Sequence, residues 1–158
     1  MKFTQFFYES SDEVQSRVIT DFLKSLTNEE KNGLKPQNSG GWCWYMAKKF
    51  SEYLNTKGIK NTILEYRSKS DGNHFVNRVN EELIDFTYSQ IDKTSPVPKI
   101  TNIENERVVY GRYIDSPKIY NSFNEVLKQW NMTYSEFIEH LIKDRNGANP
   151  AALYVKKS

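Results

Sequence analysis

The chain has 158 residues, a single cysteine, and a net charge of +2 from 22 basic and 20 acidic side chains. That length suits one domain, read as residues 1–158, with a core large enough to stand without disulfide or metal staples. Charge this balanced does not by itself imply nucleic acid or a membrane surface, and neither is expected as a partner; no apolar run nears the ~20 residues that span a bilayer, and the N-terminus lacks a secretory pattern, so a reducing cytoplasm is the expected compartment.

In chain order, Ser10 or Ser11 is placed to start a first helix, with Asp12 and Glu13 in its first turn and Val14, Val18, Phe22 and Leu26 along one face. Thr27–Ser39 reads as a loop with about one helical turn. The next helix is expected over Cys43–Lys57, with Ala47, Phe50 and Leu54 as its apolar stripe and Gly58 as its stop. Strand patterns follow at Ile59–Arg67, Phe75–Val79 and Leu83–Phe86, the last two flanking Asn80-Glu81 as a tight turn. Ser95-Pro96-Val97-Pro98 interrupts the pattern. Val108–Ile114 is a further strand candidate and Phe123–Trp130 a short helix. Thr133 with Glu136 forms a capping-box signature for a last helix reaching Asp144. Helices segregated from a run of adjacent strands predict an α+β fold, with a nucleophile helix packed on an antiparallel sheet.

Cys43 stands at the start of its helix, after Gly40-Gly41-Trp42. A helix N-terminus carries unpaired N–H groups and a positive dipole end, and both favour a thiolate over a thiol. His74 opens one strand pattern, and Asp85 lies in the next. If Asn80-Glu81 forms a two-residue loop, His74 opposes Thr87 and Val76 opposes Asp85. His74 and Asp85 then share a face as diagonal neighbours about 7–8 Å apart, a gap that two side chains can close. Of the two histidines, His140 sits in a helical pattern and is assigned to the surface of the last helix. The seven glycines form no phosphate-cradling motif, the few His and Cys residues offer no metal site, and no cofactor is expected. Tyr110, Tyr113 and Tyr120 are read as core or groove lining.

Gly41-Trp42-Cys43-Trp44 resembles the Gly-small-Cys-aromatic signature of papain-like cysteine peptidases, with Trp42 in place of the small residue. Gln37, six residues before the cysteine, stands where that family carries an oxyanion glutamine. His74-Phe75-Val76 and Ile84-Asp85-Phe86-Thr87 resemble the transglutaminase-like branch of the fold, and the Cys-to-His interval is shorter than in papain itself. The resemblance spans about residues 37–98, less than half of the chain. It implies a Cys43–His74–Asp85 triad, an oxyanion site from Gln37 and the Cys43 N–H, and acyl transfer on a protein or peptide substrate. Thiol-dependent hydrolysis is the first expectation. An effector-like glutamine deamidase or transglutaminase is the second, and an inactive binding module that keeps the fold is the third.

Overall fold

A computed structural model describes residues 15–36, 41–68, 72–113 and 116–144. Helix α1 occupies 15–25 and buries Ile19, Phe22 and Leu26. Its expected start at Ser10 or Ser11 lies outside the described residues. Thr27 opens a second helix, α2 (Asn28–Gly33), where only a turn was expected. The Thr27 hydroxyl accepts from the Glu30 N–H at 3.2 Å, and the Thr27 N–H donates to Glu30 Oε1 at 2.8 Å. This reciprocal pair satisfies two helix-start donors at once.

Helix α3 (Cys43–Thr56) is the longest described element and follows its predicted stripe, with Met46, Ala47, Phe50 and Leu54 buried. Gly58 ends it in the left-handed region at φ 71°. The Gly58 and Ile59 N–H groups bond the Asn55 and Leu54 carbonyls, both at 3.0 Å, as in a glycine-terminated helix.

Five strands follow: β1 (Thr62–Tyr66), β2 (His74–Val79), β3 (Glu82–Asp85), β4 (Lys99–Asn102) and β5 (Lys118–Tyr120). They form one sheet in the order β4-β3-β2-β1-β5, with every neighbouring pair antiparallel. Val79 pairs with Glu82 and Asn77 with Ile84, so Asn80-Glu81 is the two-residue loop expected, with Asn80 at φ 54°.

The strand expected at Val108–Ile114 is not one. Residues Glu106–Tyr110 form a short helix, α4, entered from a 3-10 turn at Ile103–Asn105, and Ile114 lies outside the described residues. Val108 is 85 % exposed there, so its β-branched side chain has no sheet surface to fit. Helices α5 (Phe123–Gln129) and α6 (Tyr134–Asp144) close the described chain. The Thr133–Glu136 capping box forms as predicted, with bonds of 3.0 and 3.1 Å.

The architecture is therefore α+β, with helices packed on an antiparallel sheet. One sheet face presents Ile63, Phe75, Val79 and Ile84 to α1, α3, α5 and α6. The other presents Leu64, Tyr66, Val76 and Leu83 to Tyr110 and Tyr113. No helix among the described residues is long and apolar enough to cross a membrane.

Candidate active site

The site lies where the start of α3 meets the start of β2. Gly41 turns the chain into α3 at φ 86°, a conformation that suits glycine. Trp42 is the N-cap and supplies no capping side chain, and the first turn of α3 holds no acidic residue. The sulfur thus sits at the positive dipole end of α3. Trp42 is itself clamped: a Cβ at Gly33 would collide with its indole, so α2 and the N-cap fit only because residue 33 is glycine. This close packing accommodates a tryptophan beside the cysteine.

Cys43 is buried, with 7 % of its surface exposed. Its Sγ donates to the Asn73 carbonyl at 3.6 Å. Asn73 is fixed in turn by its side-chain amide, which donates to Glu65 Oε2. Glu65 is buried on the α3 face of β1, and its other oxygen accepts from the Tyr120 hydroxyl at 2.8 Å. Burial, then the hydrogen bond and charge of Glu65, push the Tyr120 hydroxyl well above the usual phenol range, so it stays a donor.

His74 follows Asn73 and projects to the opposite face of the sheet. It is 1 % exposed. Its Nε2 lies 2.7 Å from Asp85 Oδ2. Continuing the β2–β3 register sets Val76 opposite Asp85 and His74 opposite Thr87, the parity predicted. Asp85 is fully buried and has further donors. Tyr110 Oη donates to Oδ2 at 2.8 Å, and the Thr87 N–H and hydroxyl donate to Oδ1 at 3.0 and 3.4 Å. A buried carboxylate is tolerable only when its lone pairs are satisfied in this way. Burial and the neighbouring Asp85 push Tyr110 far above the phenol range.

The Tyr113 ring lies nearly parallel to the imidazole, with centroids 6.0 Å apart and planes 8° apart. Tyr110 stacks against Tyr66 behind it at 4.6 Å. Burial alone would lower the His74 pKa. The charge and hydrogen bond of Asp85 outweigh it, and the hydrogen bond and charge of Cys43 add to them, raising His74 from 6.5 to about 10.

A cleft of about 610 Å³ opens over these groups. Trp44, Phe75, Trp130, Phe137 and Leu141 line one side, and Gln90, Arg112 and Tyr113 line the other. His140 also faces it, from an exposed position on α6, so it is a cleft-rim residue as well as a surface one.

The three residues Cys43, His74 and Asp85 are thus brought together. The predicted oxyanion residue Gln37 lies outside the described residues. Ser68, Asn73 and Ile91 also line the cleft, and Tyr113 lines it as one of the tyrosines read as core or groove lining, while the walls from α6 and Arg112 were not foreseen. Two further residues escaped sequence reasoning. Tyr110 was read only as core or groove lining, yet it donates to Asp85. Gln90 ends a 3-10 turn (Tyr88–Gln90), and its Nε2 sits 2.7 Å from His74 Nδ1. No spacing rule connects either to the triad. Among the described residues no three His, Cys, Asp or Glu side chains gather as metal ligands.

Comparison with protein families, with curated proteins and with solved structures finds no match.

Proposed function

We propose that this chain is a cysteine-nucleophile acyl-transfer enzyme of papain-like, transglutaminase-like fold, acting on amide groups of a protein or peptide. The observation that carries the reading is a thiol at an uncapped helix start beside a buried imidazole whose far nitrogen bonds a fully buried carboxylate. Three general-purpose groups in that order perform nucleophilic catalysis in many unrelated settings.

In the proposed reaction, His74 Nδ1 takes the Cys43 thiol proton, and the thiolate attacks the substrate carbonyl carbon. The Cys43 N–H, with Gln37, holds the oxyanion. The C–N bond breaks as His74 returns its proton to the leaving amine. A thioester on Cys43 remains, and water or an amine resolves it through the same base. Asp85 keeps the Nε2–H tautomer and balances the imidazolium charge. The lone cysteine suits a reducing cytoplasm, where no disulfide competes for the thiol.

The first test uses p-nitrophenyl acetate, an activated ester that needs no specific groove. The expected result is a burst of nitrophenolate matched by one acetyl group on Cys43 in the intact mass, absent in Cys43→Ala. A folded protein that shows neither burst nor acetylation is the inactive module. Mass spectrometry of peptides incubated with the protein then separates cleavage, expected first, from deamidation or amine incorporation.

A further inference from the structure

The two walls of the cleft over Cys43 differ in chemistry. One is apolar, with Trp44, Trp130 and Leu141 among its residues, and the other carries Arg112. Arg112 is exposed, and its guanidinium carbon stands 5.9 Å from the centre of the Tyr113 ring. That ring lies nearly parallel to the His74 imidazole, with centroids 6.0 Å apart. The guanidinium is therefore two ring contacts away from the proposed base.

No Asp or Glu side chain lines the cleft among the described residues. The carboxylates around it serve other partners. Asp85 lies behind His74, fully buried, and is bonded by His74, Tyr110 and Thr87. Asp92 follows the lining residue Ile91, and its Oδ1 accepts from the Thr94 N–H and hydroxyl at 3.0 and 2.7 Å. Glu65 stands behind Asn73 and accepts from it and from Tyr120. His74 has its balancing charge in Asp85. Arg112 has no ion-pair partner among the described residues, so its permanent charge stands at the cleft uncompensated.

We propose that the cleft receives a peptide with an acidic side chain beside the reacting amide, and that Arg112 takes its carboxylate. The inference rests on Cys43 as the nucleophile of acyl transfer, and it names the substrate class for that site. A guanidinium presents paired N–H donors that match the two oxygens of a carboxylate. Its contact with an aromatic ring consumes none of those donors. The apolar wall opposite offers nothing to a carboxylate, so the two walls orient the chain across the thiol. A lysine at the same place in the peptide meets an unpaired guanidinium and is rejected.

The test compares two thiol reagents of opposite charge on Cys43: 2-sulfonatoethyl methanethiosulfonate, an anion, and its 2-trimethylammonioethyl counterpart, a cation. Rates are read by intact mass. Each reagent forms a mixed disulfide with any accessible thiol, so the comparison needs no catalysis. The proteins are wild type, Arg112→Ala, Arg112→Glu, Arg112→Lys and Lys60→Glu, with melting temperatures to show that each is folded. Arg112 and Lys60 are both exposed, and Lys60 precedes β1 at the end away from the Tyr66–His74 pair. The anionic-to-cationic rate ratio is expected to fall about two- to fivefold in Arg112→Ala, the range of an exposed ion pair, and further in Arg112→Glu. Arg112→Lys should keep most of the ratio, and added salt should compress the differences. An unchanged ratio overturns the proposal. So does a change of both rates by one factor, which would make Arg112 only a prop for Tyr113. An equal fall in Lys60→Glu overturns it too, because net charge alone would then suffice. The acyl arm uses p-nitrophenyl hexanoate and the mono-p-nitrophenyl ester of adipic acid, which differ by a carboxylate at the far end. Acylation of Cys43 by the anionic ester should lose ground to the neutral one in Arg112→Ala, and a relative rate that the substitution leaves unchanged also overturns the proposal. If neither ester acylates Cys43 while the reagent ratio still falls, the acyl-transfer reading has failed and the anion site at Arg112 stands.

Discussion

Strand β2 divides the molecule into two kinds of interior. Its odd-numbered residues face α3 and its even-numbered ones face away. Phe75 meets Phe123 and Trp130 at centroid distances of 6.0 and 5.9 Å, and nearby Phe22, Phe50 and Phe86 lie within about 5 Å of one another. Such contacts are many and weak, and no one of them specifies its partner. The other face carries His74, Asp85 and Tyr110, where each polar atom has a named partner at a fixed distance. The α3 face is mostly ring packing, while around His74 and Asp85 the polar atoms are matched one to one.

Two substitutions of large effect break the comparison cleanly. Asp85→Asn should cut turnover of p-nitrophenyl acetate by a factor approaching about 10⁴, the loss seen when a serine triad carboxylate becomes an amide. The fold should persist, since the amide oxygen still accepts from Thr87; loss of the circular-dichroism signal would instead make Asp85 mainly structural. Phe50→Ala removes a fully buried ring from the other face. Urea unfolding should register a loss of about 3–5 kcal/mol. The surviving folded fraction should keep its alkylation rate.

The pH dependence sharpens the same contrast. His74 is raised from 6.5 to about 10, because Asp85 and Cys43 outweigh burial. A raised pKa means that the folded state binds the proton more tightly than the unfolded chain. The stabilisation is fully present below about pH 6.5 and is lost as pH rises through about 10. Unfolding free energy should therefore fall across that window in wild type. In His74→Gln the fall should flatten, and a slope unchanged by the substitution would remove His74 as its source.

What was legible in the sequence follows this division as well. The α3 stripe, the Gly58 stop and the α6 capping box are local patterns, and they form where they were expected. The His74–Asp85 pairing was legible because a two-residue loop fixes strand parity, and parity decides which side chains share a face. Helix α2 was expected only as about one helical turn within a loop, although Thr27 and Glu30 carry the same capping signature as Thr133 and Glu136. Strands β4 and β5 have four and three residues, too few to show alternation. The run at Val108 has β-forming side chains, but no neighbouring strand takes them up. Gln90 and Tyr110 reach the site through tertiary packing alone. Tyr110 is 25 residues from Asp85, and only the placement of α4 beneath the sheet joins them.

A smaller effect is expected at that contact. Tyr110→Phe keeps the stack on Tyr66 and deletes one hydrogen bond to the Asp85 carboxylate. Hydrogen bonds to charged groups contribute about 1.5–3 kcal/mol, and urea unfolding should show a loss in that range. A neutral result would mean that His74 and Thr87 satisfy Asp85 without help.

The smallest effect should come from the second histidine. His140 is exposed on α6 and faces the same cleft as Cys43, so proximity alone makes it a rival base. Burial separates the two. His74 is enclosed with a carboxylate at 2.7 Å that fixes its tautomer, while His140 stands exposed at the cleft rim. His140→Ala should therefore change iodoacetamide alkylation of Cys43 by no more than about twofold at any pH, the scatter of ordinary surface substitutions. Its curve should overlay that of wild type, while the His74→Ala curve departs from it. If the two curves exchange behaviour, the base lies on the apolar side of the cleft. Asp85 and its tyrosine would then form a structural cluster, and the contrast between the two faces of β2 would lose its functional meaning.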